Sequence, residues 1–173
     1  ALNLLGIFVI RQDLMMKGYL PSVAIYLASW IVSRLMSPSS RIKKYIILSG
    51  SIYVFTIAGV FITYHAILVT LLPFLYATLY SSKRVLRFVY IMTTISTVVI
   101  VYGGYFFGLC DANMALLTSG SLSDYSLNGV FTLTEVNPNP WISLMLFFVL
   151  PRCLIYVAFM SVCSSIFSIV SGS

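Results

Sequence analysis

The chain has 173 residues, of which 60 % are hydrophobic and 8 % are charged. Soluble domains usually carry about 25 % charged residues, so this composition excludes an ordinary soluble domain. Inside a bilayer the backbone must satisfy its own hydrogen bonds, and apolar segments close to about 20 residues long favour helices. We therefore predict an all-α integral membrane protein in which residues 1–173 form one transmembrane domain.

The net charge of +6 is distributed as short basic clusters between apolar segments. This distribution is typical of topology signals, so we expect membrane lipids, and not nucleic acid, as partners. The cysteines, Cys110, Cys153 and Cys163, form no CxxC pair and have no histidine near them in sequence. The sequence therefore indicates neither a disulfide framework nor a metal site, and no cofactor.

The first two apolar segments are separated by a polar break at residues 10–17. As a helix, residues 1–10 measure about 15 Å, roughly half of a bilayer core. We expect them to be the outer half of a helix that begins before Ala1. The second segment covers about residues 18–36 and ends at the Ser/Pro-rich loop 37–40.

A longer apolar stretch, residues 45–80, has basic clusters on both sides. The positive-inside rule assigns both clusters to the cytoplasm, so the stretch must leave and return. We predict a helical hairpin with Tyr64 and His65 at its outer tip. Its short return helix, residues 66–79, carries Pro73 as a kink.

The next helix covers about residues 85–107 and leads into one long outer loop, residues 108–140. This loop holds three of the four acidic residues and no lysine or arginine, as expected on the outer side. The last helix runs from Trp141 to about residue 169. With the truncated first segment included, we predict a six-helix transmembrane bundle with both termini cytoplasmic.

Asp111 lies where the outgoing helix should end, and two interpretations of it stay open. It either caps a short helix at residues 112–118, or it lines a ligand pocket with Asn113 at the outer membrane boundary. Tyr105 and Trp141, which flank this boundary, belong to the same candidate ligand-binding set.

Arg152 is the most unusual residue of the last helix. Trp141 should mark the outer interface, which puts Arg152 about 16 Å deeper, near the bilayer centre. An intramembrane arginine is by default functional or tightly paired, and Asp111 is the expected partner. The alternative is a last helix that starts near Leu150, with the guanidinium reaching back to the interface.

A family resemblance is carried by GYFFGLCDANM (residues 104–114) and LPRC (residues 150–153). The chain resembles the N-terminal membrane region of multi-pass diguanylate cyclases, the GGDEF proteins of clostridial-type Firmicutes, over most of its length. The resemblance implies a homodimeric sensory domain in a bacterial cytoplasmic membrane, followed by a cytoplasmic output domain that makes cyclic di-GMP. No GGDEF motif occurs in residues 1–173.

The chain shows no Ser-His-Asp set, HExxH motif or phosphate-binding glycine loop, so we expect no enzyme activity in these residues themselves. The leading hypothesis is a signal-input module that regulates an output domain and takes a small-molecule or membrane cue from the outer side. A substrate-binding component of a small-molecule transporter and a structural subunit are the alternatives.

Overall fold

A computed structural model describes residues 12–61, 69–80, 82–108 and 140–171. Outside short turns these residues are helical, and none of them lies in a strand, which confirms the all-α prediction for this part of the chain. The helices are α1 (Gln12–Leu35), α2 (Lys43–Phe61), α3 (Leu72–Leu79), α4 (Lys83–Phe107), α5 (Pro140–Leu144) and α6 (Leu150–Ser171), with a π-helical segment (Met145–Val149) between α5 and α6.

Within the described ranges, three helical stretches are long and apolar enough to cross a membrane: Lys43–Phe61, Lys83–Phe107 and Trp141–Ile169. They are α2, α4 and the last helix from α5 through α6. The α1 helix has sufficient length, 24 residues, but Arg34 and several serines lower its mean hydropathy. The six-crossing count therefore stays a prediction, and its first segment, residues 1–10, lies outside the described residues.

The α1 helix begins six residues earlier than the sequence predicted. Residues 12–17 were expected to form a polar break, whereas they form the first turns of α1. The stretch contains Gln, Leu, Met and Lys, which all favour helices. Asp13 stands in the first turn, where the helix dipole favours a negative charge. The α1 helix therefore runs through part of the predicted polar break.

The α2 and α4 helices run parallel to each other. Tyr45 contacts Phe88 edge-to-face at 5.0 Å, and eleven residues along α2, Thr56 bonds to Ser96. Both helices begin at a basic cluster, so the two clusters lie at the same end of the bundle. The flanking charges predicted this common direction, and the assignment of that end to the cytoplasm stays a prediction.

The last helix runs antiparallel to α4 along its whole length. Tyr102 meets Trp141 at one end, Thr97 meets Tyr156 near the middle, and Lys83 lies over the Phe167 ring at the other end. This register places Phe148 and Val149 of the π-helical segment in one buried cluster with Ile100 and Val101 of α4.

The described part of the predicted return segment begins at residue 69, and residues 66–68 lie outside the described residues. A 3₁₀ turn at residues 69–71 leads into α3, whose 8 residues measure about 12 Å, less than half of a bilayer core. Pro73 lies in the first turn of α3, where a missing N–H breaks no helical bond, so its prediction as a kink inside the helix is wrong. The predicted hairpin tip lies outside the described residues.

Candidate functional site

The predicted ligand-binding residues divide into two groups. Asp111 and Asn113 lie outside the described residues, so the pairing of Asp111 with Arg152 stays a prediction. Tyr105, Trp141 and Arg152 are described, and each lies on α4 or on the last helix. All three border the interface between these two antiparallel helices.

Trp141 lies in an aromatic cluster at the end of the bundle opposite the basic clusters. Its ring stacks on Tyr102 with 4.9 Å between centroids and lies 4.9 Å from the Phe106 ring. The Tyr102 hydroxyl donates to the Trp141 carbonyl at 2.7 Å. More than half of the Trp141 side chain is exposed, which fits an aromatic belt at a membrane interface.

Tyr105 stands beside this cluster and contacts Phe106 edge-to-face at 4.8 Å. It also packs against the apolar core between α4 and the last helix, and Cys153 borders the same core from α6. The core itself consists of Ile100, Val101, Leu144, Phe148 and Val149. Tyr105 therefore connects the interfacial aromatic residues to the core that surrounds the π-helical segment.

The π-helical segment interrupts the last helix directly before Pro151 and Arg152. Its hydrogen bonding joins residues five positions apart, since the Leu150 N–H donates to the Met145 carbonyl. Pro151 has no N–H and its ring displaces the carbonyl four residues earlier, so a regular α-helix cannot continue unchanged through it. The sequence predicted a last helix from Trp141 to about residue 169 and did not predict this interruption. π-bulges often occur at functional sites.

Arg152 is half-buried beside this segment. Its Nη1 donates to the Phe148 carbonyl at 2.6 Å, and its guanidinium carbon lies 5.5 Å from the Phe148 ring centre. The helix begins at Pro140, so the alternative of a start near Leu150 is wrong. The guanidinium is held by a backbone oxygen and an aromatic face, both of which stabilise a cation in an apolar setting.

A buried hydroxyl group one turn beyond Arg152 was not predicted. The Tyr156 hydroxyl lies 2.7 Å from Thr70 Oγ1 and 3.0 Å from Thr97 Oγ1. We call these three residues the Tyr156 cluster; it joins α6 to α4 and to the turn before α3. All three side chains are buried, with exposures of 0–3 %, so each hydroxyl gains from a protein partner.

The Tyr156 ring is fixed as well as its hydroxyl. It stacks on Phe74 of α3 with 5.9 Å between centroids. Phe148, Arg152 and Tyr156 are four residues apart, which places them on one face of the last helix. The spacing of four residues from Arg152 is the only feature of the sequence that points to Tyr156. Nothing else distinguishes it among the twelve tyrosines of the chain.

The Ser/Thr-rich stretch of α4 forms side-chain hydrogen bonds both to other helices and within α4 itself. Between helices, Ser96 Oγ lies 2.5 Å from Thr56 Oγ1. Within the helix, Thr94 donates to the carbonyl of Tyr90. Thr97 reaches both Tyr156 and the Thr93 carbonyl, so its single proton is shared or used for one of them. The stretch therefore ties α4 to both α2 and α6.

Thr93 differs from its neighbours, and replacing it with valine is expected to raise stability. Its hydroxyl is buried and has no hydrogen-bond partner within the described part of the chain. An unsatisfied buried hydroxyl costs about 1–3 kcal/mol, and valine keeps nearly the same shape. Thr93→Val should therefore unfold at a higher temperature than the parent in detergent.

Thr97→Val, one turn away, is the matched control for this prediction. The same atoms change, but Thr97 has bonding partners, so this variant should unfold at a lower temperature than the parent. A Thr93→Val variant that is destabilised as much as Thr97→Val would contradict the assignment of Thr93 as an unsatisfied group.

The described residues contain no group of three or more His, Cys, Asp or Glu side chains that could hold a metal ion. The hydroxyl, guanidinium and aromatic groups that do meet are suited to hydrogen bonding and, at the guanidinium of Arg152, to holding an anionic group. What the arrangement offers is a break in one helix, with a charged residue at the break and a polar contact one turn beyond. No family model, curated protein or solved structure matches the chain.

Proposed function

We propose that the chain is a multi-pass signal-input module of a bacterial cytoplasmic membrane. In this proposal a small-molecule or membrane cue on the outer side changes the last helix, which regulates an output domain on the cytoplasmic side. A diguanylate cyclase is the output domain that the sequence resemblance suggests, and such an enzyme would act as a homodimer. Asp111 and Asn113 stay candidate ligand contacts, together with Tyr105, Trp141 and Arg152.

The observation that carries this proposal is the π-helical segment before Pro151 and Arg152. A π-bulge is a helical turn that holds one extra residue. If the turn returns to regular α-helical bonding, the part of the helix beyond it rotates. Here the part beyond is α6, which carries Tyr156 and its bonds to α4 and to the turn before α3. A change at the outer aromatic cluster would reach α6 through this turn.

A coupled switch needs two arrangements with different contacts. The contacts of the last helix separate into two sets on either side of the break. Trp141 bonds to Tyr102 on the outer side, and Tyr156 bonds to Thr70 and Thr97 on the other side. Each set fixes one half of the helix, so rotation at the π-helical segment would change one set while the other stays in place.

The same break supports one alternative, a substrate-binding component of a small-molecule transporter. Transporters place their substrate sites near the bilayer midplane, at helices whose regular hydrogen bonding is interrupted. Arg152 lies about 16 Å from Trp141 along the helix, which is the depth of such a site. In this alternative Arg152 contacts an anionic substrate directly.

Pro151→Ala and Arg152→Gln test the two functions in the full-length gene product. Pro151→Ala restores a helical N–H and should favour a regular helix, whereas Arg152→Gln removes the charge and retains a donor. If the module is a sensor, both variants should change basal cyclic di-GMP production by about 2- to 30-fold, the range for residues that modulate coupling by about 0.5–2 kcal/mol. Val157→Ala, on the exposed face of α6, is the matched control and should leave output unchanged.

Uptake of labelled small molecules into proteoliposomes, measured on the same variants, separates the alternatives. Altered output with no uptake supports the sensor. Uptake that Arg152→Gln abolishes, with constant output, supports the transporter component. If neither quantity responds to either variant while Val157→Ala behaves identically, the break in the last helix has no role in function and both proposals fail.

A further inference from the structure

The end of the bundle at which α2 and α4 begin carries two adjoining clefts of different character. The first, which we call the basic cleft, has a volume of about 440 Å³ and is lined by Arg41, Lys43 and Lys44 together with the loop serines Ser39 and Ser40. The second is apolar, has a volume of about 300 Å³, and lies between α2 and α3. Ile47 and Tyr80 line both clefts, so the two adjoin.

The order of side chains along α2 follows the order of groups in a phospholipid. Arg41 lies just before α2, and Lys43 and Lys44 stand in its first turn. Ile47 and Leu48 follow in the next turn, and Ser51 lies one turn further, about 10 Å from Lys44 at 1.5 Å per residue. On the opposite wall Tyr80 stands at the polar end, and Leu79 and Tyr76 of α3 line the apolar part.

The positive charge of the basic cleft is not balanced by an acidic residue among the described residues that line it. Three cations and the serine hydroxyls border it, and none of the described lining residues is acidic. Lys43 and Lys44 are half-buried rather than fully exposed, with Lys44 Nζ 5.6 Å from the centre of the Tyr45 ring. The Lys44 ammonium group is thereby held beside the Tyr45 ring at the start of α2.

We infer that this pair of clefts is a binding site for an anionic phospholipid. The phosphate is held by Arg41, Lys43 and Lys44, and one acyl chain lies along Ile47, Leu48 and Leu79. Basic pockets between transmembrane helices bind acidic lipid headgroups by this combination of charge and apolar contact. The occupant is a lipid rather than a free phosphate because an apolar cleft adjoins the basic one.

A bound lipid would fill the gap that the short α3 helix leaves beside α2. The α3 helix covers only part of the length of α2, and several of its side chains, including Leu79 and Tyr76, are largely exposed. An acyl chain in the cleft would cover this surface and connect α2 to α3. This site stands on its own geometry and does not depend on the proposed function.

Native mass spectrometry of the detergent-solubilised chain, with phosphatidylglycerol, phosphatidylcholine or inorganic phosphate added, tests the site. We expect phosphatidylglycerol to bind in a one-to-one complex and to be retained more strongly than phosphatidylcholine. Arg41→Gln/Lys43→Gln/Lys44→Gln should weaken its binding by about 100-fold, since each basic residue near a lipid surface contributes about 1 kcal/mol. Leu79→Trp, which narrows the apolar cleft without changing charge, should also weaken it.

Lys83→Gln/Arg84→Gln/Arg87→Gln is the matched control. It removes the same charge from the start of α4, at the same end of the bundle, and none of its residues lines either cleft. Binding should stay within about threefold of the parent, because screening limits charge effects to about 10 Å at 0.1 M salt. Equal losses in both triple variants would show general attraction of a basic surface and overturn the site. Displacement of the lipid by inorganic phosphate alone, or retention unaffected by Leu79→Trp, would overturn the lipid assignment.

Discussion

Replacing Gly59 with leucine should lower the free energy of unfolding by about 1–3 kcal/mol, the usual cost of overpacking a well-filled core. A Cβ atom at Gly59 would lie 2.8 Å from two carbon atoms of the Ile100 side chain. Ile100 is completely buried and has no space into which it could turn. The parallel pair α2 and α4 would have to separate, and thermal unfolding in detergent would measure the loss.

Alanine variants at two glycines of the same interface separate crowding from other effects. At Gly103 a Cβ would lie 3.1 Å from one methyl of Val60, a contact that a small shift relieves. Both changes gain the same helix propensity, about 1 kcal/mol over glycine, so that term cancels in the comparison. Gly59→Ala should unfold at a lower temperature than Gly103→Ala. The opposite order would contradict the close approach of α2 and α4 at Gly59.

The long helices were predictable because apolar length and charge position act locally. Lys43 and Lys83 each stand at the start of a helix that has nothing but apolar and small polar residues after its first turns. Their common sign predicted that the two helices run in the same direction. The α1 start and the shape of α3 were not predictable in this way. Residues 12–17 are polar yet helical, and Pro73 reads equally as a kink or as a first-turn residue until the turn before it is known.

The site was predictable only where one residue violates the composition around it. Arg152 is a charged residue in an apolar helix, so its unusual position is visible in the sequence alone. The π-helical segment has no such mark, because MLFFV is indistinguishable from α-helical sequence and the extra residue is imposed by Pro151 and by packing against α4. Thr70 and Tyr156 are 86 residues apart, and a hydrogen bond at that separation depends on tertiary packing that no local pattern encodes.

The contacts on the two sides of the π-helical segment differ in kind. On the side of Trp141 they are an aromatic stack and an exposed hydrogen bond from Tyr102, whereas on the other side Tyr156 is buried among hydroxyl groups. An aromatic stack can slide with little loss of energy, but a buried hydrogen bond either is made or leaves two groups unsatisfied. The Tyr156 cluster is therefore the part of the last helix that fixes its rotation.

Tyr156→Ala should be the most destabilising single change in α6, with an expected cost of about 3–5 kcal/mol. The variant removes a buried aromatic ring that stacks on Phe74 and leaves the hydroxyls of Thr70 and Thr97 without their common partner. Unfolding by SDS titration in mixed micelles would measure the change. Phe159→Ala is the comparison, because Phe159 contacts the same Phe74 ring but is only half-buried and carries no hydroxyl, so its cost should be smaller.

Tyr156→Phe isolates the hydrogen bonds, since the ring and its packing remain. Hydrogen bonds between transmembrane helices contribute about 0.6 kcal/mol on average and about 1.7 kcal/mol at most, and this hydroxyl serves two helices. We expect a cost of about 1–2 kcal/mol, and a double-mutant cycle with Thr97→Val should give a coupling energy above about 0.5 kcal/mol. Additive effects of Tyr156→Phe and Thr97→Val would mean that the two hydroxyls do not interact. The rotation of α6 would then be fixed by the bond of Tyr156 to Thr70 and by ring packing on Phe74.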